Sequence, residues 1–150
     1  MQPPNPDFRV EIERIFAGTG FISTLGLCLV DCAPGWCETE LAIRPMHLQQ
    51  DDYFHAGVQA TVGDHTAGAA AATLMPSGKR VLTIEFKINL LRPGTGEFLH
   101  CRGVVLKAGR NVAVSESSLF GVDGSKRVLI SKATVTLAFV DSRERSSNVL

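Results

Sequence analysis

Asp64 is a lone carboxylate in a stretch of otherwise small and mostly uncharged residues, His55 to Met75 (HAGVQATVGDHTAGAAAATLM). A carboxylate can take a proton from water or attack an electrophile directly. At 3.6 residues per turn, Gly57, Ala60, Thr61, Asp64, Gly68, Ala71 and Ala72 fall on one flank of a helix, with the acid in its middle. Gly63 and Gly68 each cost about 1 kcal/mol relative to Ala in a helix interior, so the composition predicts a backbone that approaches something closely. The stretch is about as long as a membrane span, but Gln59, Asp64 and His65 interrupt it and argue against one.

The other reactive side chains point less clearly to chemistry. Cys28, Cys32 and Cys37 have no CxxC spacing and no nearby histidine, which is poor zinc spacing, and with Cys101 they read as small apolar residues of strands. Cys32 and Cys37 flank an Ala-Pro-Gly-Trp turn and are expected to face each other across a hairpin as free thiols. His47, His55, His65 and His100 show no ligand spacing, so no metal is expected. His65 lies about 100° round the helix from Asp64 and is left outside the expected site.

These residues need a scaffold to position them. The chain has 150 residues, 45% hydrophobic and 20% charged, which fits one domain spanning 1–150 with loose tails over about 1–7 and 142–150. Net charge is zero, so neither nucleic acid nor an anionic membrane is indicated as a bulk partner. The first residues carry no basic and apolar leader, and the expectation is a cytoplasmic protein. Phe8, Ile12, Ile15 and Phe16 follow helical spacing, with Gly18 and Gly20 ending that helix. Ile22 to Ile43 reads as two strands, TLGLCLVDCA and WCETELAI, joined at Pro34-Gly35. A polar loop, 44–54, feeds the central helix, and a helix N-terminus leaves backbone N–H groups unpaired.

After the helix, four β-like runs follow: Arg80 to Leu91, Phe98 to Lys107, Val112 to Gly121 and Arg127 to Val140. Their separators are rich in Gly, Asn and Asp, which is hairpin chemistry. In the first run Thr83, Glu85, Lys87 and Asn89 alternate with Leu82, Ile84, Phe86, Ile88 and Leu90. Six strands and one long small-residue helix make an α+β domain. A curved antiparallel six-stranded sheet wrapped around that helix, the hotdog fold, accounts for the small residues by close helix–sheet approach.

Gln49 to Ala72, with His-Ala-Gly near the helix start and Gly-Asp-His-Thr-Ala-Gly beyond it, resembles hotdog-fold acyl-CoA thioesterases of the PaaI type. TIEFKINLLRPGTGE is similar to that family's strand after the helix, including its closing Arg-Pro-Gly. Ala56 stands where the family more often has Gly. The resemblance implies hydrolysis of acyl-CoA to free acid and coenzyme A without a cofactor. It implies that the Gly57 N–H holds the thioester oxygen and that Asp64 activates water or attacks directly. It further implies that Thr83 helps place that water, that Gln49 hydrogen-bonds the thioester carbonyl or leaving sulfur, and that His55 shapes the turn and supports the oxyanion site.

Gly57 and Asp64 are seven residues apart, hence about 10 Å along one helix. An oxyanion donor must lie about 3 Å from the reacting oxygen, and a base must reach water at similar range. One carbonyl cannot easily use both residues of the same helix. Two such helices packed antiparallel about a two-fold axis would bring Gly57 of one chain to Asp64 of the other, so a homodimer with shared active sites is expected. Further pairing into a tetramer stays open. Coenzyme A phosphates want Arg or Lys, and Lys107, Arg110 and Arg92 are the candidates. Two alternatives stand: a non-catalytic acyl-CoA-binding or regulatory module, which would not need Asp64, and a hotdog hydratase, whose His–carboxylate motif is not seen.

Overall fold

The computed structural model describes residues 2–18 and 20–142. Helix α1 spans Phe8–Ala17 and a short α2 spans Phe21–Leu25. The hairpin β1 (Cys28–Ala33) and β2 (Trp36–Ala42) follows, then a 3-10 turn at Pro45–His47 and the long helix α3 (Ala56–Ala72). Strands β3 (Lys79–Leu90), β4 (Phe98–Ala108), β5 (Val112–Asp123) and β6 (Lys126–Asp141) complete the fold. The sheet is antiparallel throughout, in the order β1-β2-β4-β5-β6-β3. α3 packs on β2 to β6, which is the hotdog arrangement. Among the described residues no helix is long and apolar enough to cross a membrane.

The expected elements form with one correction. Residues 21–25 are helical rather than the start of a strand, and Gly26 closes that turn at φ 89°, its N–H bonded to the carbonyls of Ile22 and Ser23. A five-residue run such as Phe-Ile-Ser-Thr-Leu is too short for periodicity to separate strand from helix. Glycine takes left-handed backbone without steric cost, so Gly26 can stop the turn and release the chain into β1. Cys32 and Cys37 do face each other across the β1–β2 hairpin, both fully buried and both free. Burial raises the Cys37 thiol and pushes Cys101 up to about 12, so neither is a ready thiolate. The tail expected over 142–150 lies outside the described residues beyond Ser142.

Close approach of helix and sheet is real, but the glycines divide the task. A Cβ on Gly63 would meet Ser117 Oγ at 3.2 Å and Leu119 Cδ1 at 3.3 Å. From the opposite side, a Cβ on Gly103 of β4 would fall 2.7 Å from the Thr66 carbonyl oxygen. These two absences seat α3 on the sheet. Gly68 is different, because a Cβ there meets only Leu137 Cδ2 at 3.7 Å, an ordinary contact. The close-approach expectation therefore holds for Gly63 and not for Gly68, which borders open space.

Two apolar clusters hold α3. Leu41, Phe54, Leu99, Leu119 and Ile130 pack around Val62 in its N-terminal half, and Ile12, Leu137 and Phe139 around Ala69–Ala72 in its C-terminal half. Ile12 is fully buried, an interaction of about 1.5–3 kcal/mol that ties α1 to the core. Arg9 adds a second anchor by donating to Asp31 Oδ1 at 2.9 Å and to the Cys32 carbonyl at 2.6 Å.

Candidate active site

The N-terminus of α3 is held from three sides. Phe54, just before the helix, donates its N–H to the Gly94 carbonyl at 2.9 Å. A Cβ on Gly94 would lie 2.9 Å from both Ile130 Cδ1 and Phe54 Cδ2, so the Arg92-Pro93-Gly94 turn can lie against Phe54 only as glycine. His55 N–H donates to the His47 carbonyl at 2.9 Å. His47 is fully buried, accepting at Nδ1 from Arg44 N–H and bonding at Nε2 to the Leu25 carbonyl, each 2.9 Å. It is a structural histidine. Inside the helix, buried Gln59 bonds the Phe54 carbonyl and accepts from Ser131 Oγ.

His55 is the N-cap of α3, and its Nδ1 accepts from the Gly57 N–H at 2.9 Å. The expected oxyanion donor is thus engaged by the expected supporting histidine. Both residues are exposed, so the ring can turn away and free the amide. Gln49 is engaged locally: its Oε1 accepts from the Asp51 N–H, and its own N–H donates to the Tyr53 carbonyl at 2.9 Å.

Two turns along α3, Asp64 is half-buried, and Thr83 Oγ1 donates to its Oδ1 at 2.8 Å. Burial raises the Asp64 pKa above the ordinary carboxylate value, and the Thr83 hydrogen bond partly opposes that. Thr83 reaches the acid because β3 is bulged. Thr83 pairs with Leu137 and Glu85 with Thr136, leaving Ile84 without a partner. Leu137, Val135 and Ala133 line the buried face of β6, so their partners Thr83, Phe86 and Ile88 share the helix-facing side of β3. The alternation expected from sequence, with Thr83 alongside Glu85, Lys87 and Asn89, is corrected: the extra residue shifts the period by one.

Asp64 and Thr83 open into a cleft of about 1110 Å³ between α1, α3 and β3. Its floor is Gly68, Ala69 and Ala72, one wall includes Val10 and Ile15 of α1, and the other includes Val81 and Leu137. His65, placed outside the site on sequence, is on this cleft too, because α1 packs on that side of α3. Its ring stands edge-on to Phe16, centroids 4.9 Å apart, and its Nε2 is buried with no partner. Burial lowers its pKa to about 4, so it is neutral near pH 7. Arg14, Lys79 and Arg80 line the cleft, whereas Lys107, Arg110 and Arg92 do not. Arg92 lies near the N-terminal end of α3, two residues from Gly94. Lys107 and Arg110 flank the β4–β5 turn at the opposite end, where the Asn111 carbonyl accepts from Phe139 N–H.

Among the described residues no group of three His, Cys, Asp or Glu side chains is disposed to hold a metal ion. The spacing of α1 signalled an amphipathic helix but not which side of α3 it would cover, so its part in the cleft was not legible.

The family model described as thioesterase superfamily matches residues 52–127. A Halobacterium salinarum protein bearing a provisional esterase name is 31% identical over 109 residues, covering 67% of this chain and 69% of that protein. Among solved structures, a thioesterase family protein from Silicibacter pomeroyi superposes with TM-score 0.87 at 31% identity, over 89% of this chain and 98% of that one. The PaaI protein from the phenylacetic acid degradation operon of Escherichia coli superposes at TM-score 0.79 over 89% of this chain and 94% of its own. At 13% identity that last match is a likeness of fold.

Proposed function

This chain belongs to the thioesterase superfamily, whose chemistry is acyl-thioester hydrolysis, and we propose that its substrates are acyl-CoA thioesters. The observation that carries the proposal is the Thr83–Asp64 pair in the cleft, a half-buried carboxylate of raised pKa with one oxygen held at 2.8 Å. In the proposed step, Asp64 takes a proton from water as the water oxygen bonds to the thioester carbon. Thr83 fixes the carboxylate so that its other oxygen faces that water. The negative charge growing on the carbonyl oxygen is met by the Gly57 N–H at a helix N-terminus, where the dipole favours an anion. The C–S bond then breaks, the sulfur takes up the proton, and a free acid and coenzyme A leave.

Gly57 and Asp64 are too far apart along one helix to serve one carbonyl, so this reading includes a two-fold dimer. The free edge of β3 supports it. β3 is an edge strand, and Leu82, Ile84, Phe86 and Leu90, drawn from both of its faces, are 44–58% exposed, as is Leu91 just beyond it. An unpaired apolar edge of this kind is a pairing surface, and a second copy supplies an identical strand. Antiparallel pairing also addresses the basic candidates. Arg92 and the Lys107–Arg110 turn lie at opposite ends of one chain, and a two-fold axis brings opposite ends together.

One observation favours the alternative of a non-catalytic acyl-CoA-binding module: the Gly57 amide already has a partner in His55. Thiol release from acetyl-, octanoyl-, palmitoyl- and benzoyl-CoA separates the two. Hydrolysis by wild type that falls at least a hundredfold in Asp64→Asn, with fold and dimer intact, is the expected result. Tight binding with no thiol release from any of them would establish the binding module instead.

A further inference from the structure

The cleft continues well past the carboxylate, and what it meets there defines an acyl group. From Asp64 to Ala72 the helix advances about 12 Å, with Gly68 one turn beyond the acid on the same face. Gly68, Ala69 and Ala72 give this floor almost no side-chain volume, and Val10, Ile15, Val81 and Leu137 wall it with apolar groups. The same lining also carries charged side chains, Glu11 and Arg14 between Val10 and Ile15 on α1 and Lys79 and Arg80 next to Val81 on β3, and these make its outer rim. Arg14 is paired with Glu11 at 3.0 Å and Lys79 with Asp141 at 2.8 Å, so both pairs stay charged and hydrated. An apolar chain gains from the floor and loses at this rim.

Gly68 is where the floor is most easily closed. Unlike Gly63, it is not required by packing, since its Cβ would make only an ordinary contact with Leu137. Its missing side chain costs helix stability without a packing return, and what it leaves is volume next to Asp64. Resting on the thioesterase reading, we propose that Gly68 is the specificity-determining residue of this cleft, admitting aliphatic chains of medium reach and aryl groups over α3 beneath α1. Long chains are disfavoured because they must cross the charged rim. The thioester itself stays at Asp64.

The test is kcat/KM for acetyl-, octanoyl-, benzoyl- and palmitoyl-CoA with wild type, Gly68→Ala, Gly68→Val and Gly68→Leu. Wild type should prefer octanoyl or benzoyl over palmitoyl. The octanoyl-to-acetyl ratio should fall stepwise with side-chain size, by at least tenfold at Gly68→Leu. Should Gly68→Leu not fold, the Ala and Val steps still read the trend. A ratio that does not move across the series overturns the proposal. Calorimetric binding of S-ethyl- and S-octyl-coenzyme A thioethers separates it from the hydrolysis reading. If wild type releases no thiol but Gly68→Val selectively weakens S-octyl binding, the acyl site stands and hydrolysis falls. If neither thioether binds, or both weaken equally, the acyl site falls.

Discussion

Thr83 and Asp64 oppose each other electrostatically, and that opposition can be measured. Burial raises the Asp64 pKa and the Thr83 hydroxyl lowers it, so removing the hydroxyl should raise it further. In Thr83→Val the acid limb of the kcat/KM profile should therefore move to higher pH, and kcat should drop about tenfold for one lost hydrogen bond to a charged group. An acid limb that stays in place would separate Thr83 from the chemistry. Stability should respond in the other direction. A carboxyl whose folded pKa lies above its unfolded value stabilises fully below the unfolded pKa, and that contribution is lost as pH rises through the folded pKa. Above that window Asp64→Asn should melt no lower than wild type, and modestly higher, as expected of a group kept for function at the expense of stability. Thermal melts at pH 4 and pH 8 check the sign. Asp64 was legible from sequence because a charge on a small-residue flank is conspicuous. The His55–Gly57 contact was not, because a capping geometry depends on a single side-chain rotamer.

At the scale of elements, the depth at which α3 sits is set by two absent side chains, one on the helix at Gly63 and one on the sheet at Gly103. Gly103→Ala would drive a Cβ to 2.7 Å from the Thr66 carbonyl oxygen, and neither partner is a flexible side-chain end. The cost should be about 1–3 kcal/mol, seen as a lower urea midpoint at unchanged m-value. A midpoint within error of wild type would mean that the helix can lift freely. His65 carries an element-level signature as well, since it is half-buried and neutral where α1 meets α3. Its folded pKa, about 4, lies below the unfolded value near 6.5, so the protein should lose stability as pH falls through that window. His65→Phe should flatten the loss. The central helix and the strand pairs were readable from period and turn chemistry. The bulge in β3 was not, because inserting Ile84 leaves a sequence that still alternates polar and apolar while the faces beneath it shift.

For the whole molecule, the apolar edge of β3 and the separation of Gly57 from Asp64 point to the same two-fold assembly. Ile84→Lys places a charge on that edge and should weaken self-association at least tenfold by sedimentation, with activity falling in step. A stable monomer with full turnover would sink the shared-site reading while leaving the chemistry of Asp64 intact.

The unpartnered Ile84 has one more consequence, which concerns growth rather than catalysis. A straight, sticky edge can recruit strands without limit and build fibrils, whereas a bulge twists its strand and spoils the template. Because Thr83 and Glu85 already pair with neighbouring positions of β6, removing Ile84 would leave every other side chain on its present face. A one-residue deletion, ordinarily ruinous inside a strand, should here fold. It should also bind thioflavin more readily than its parent, because the kink that limits the edge to a single partner strand would be gone.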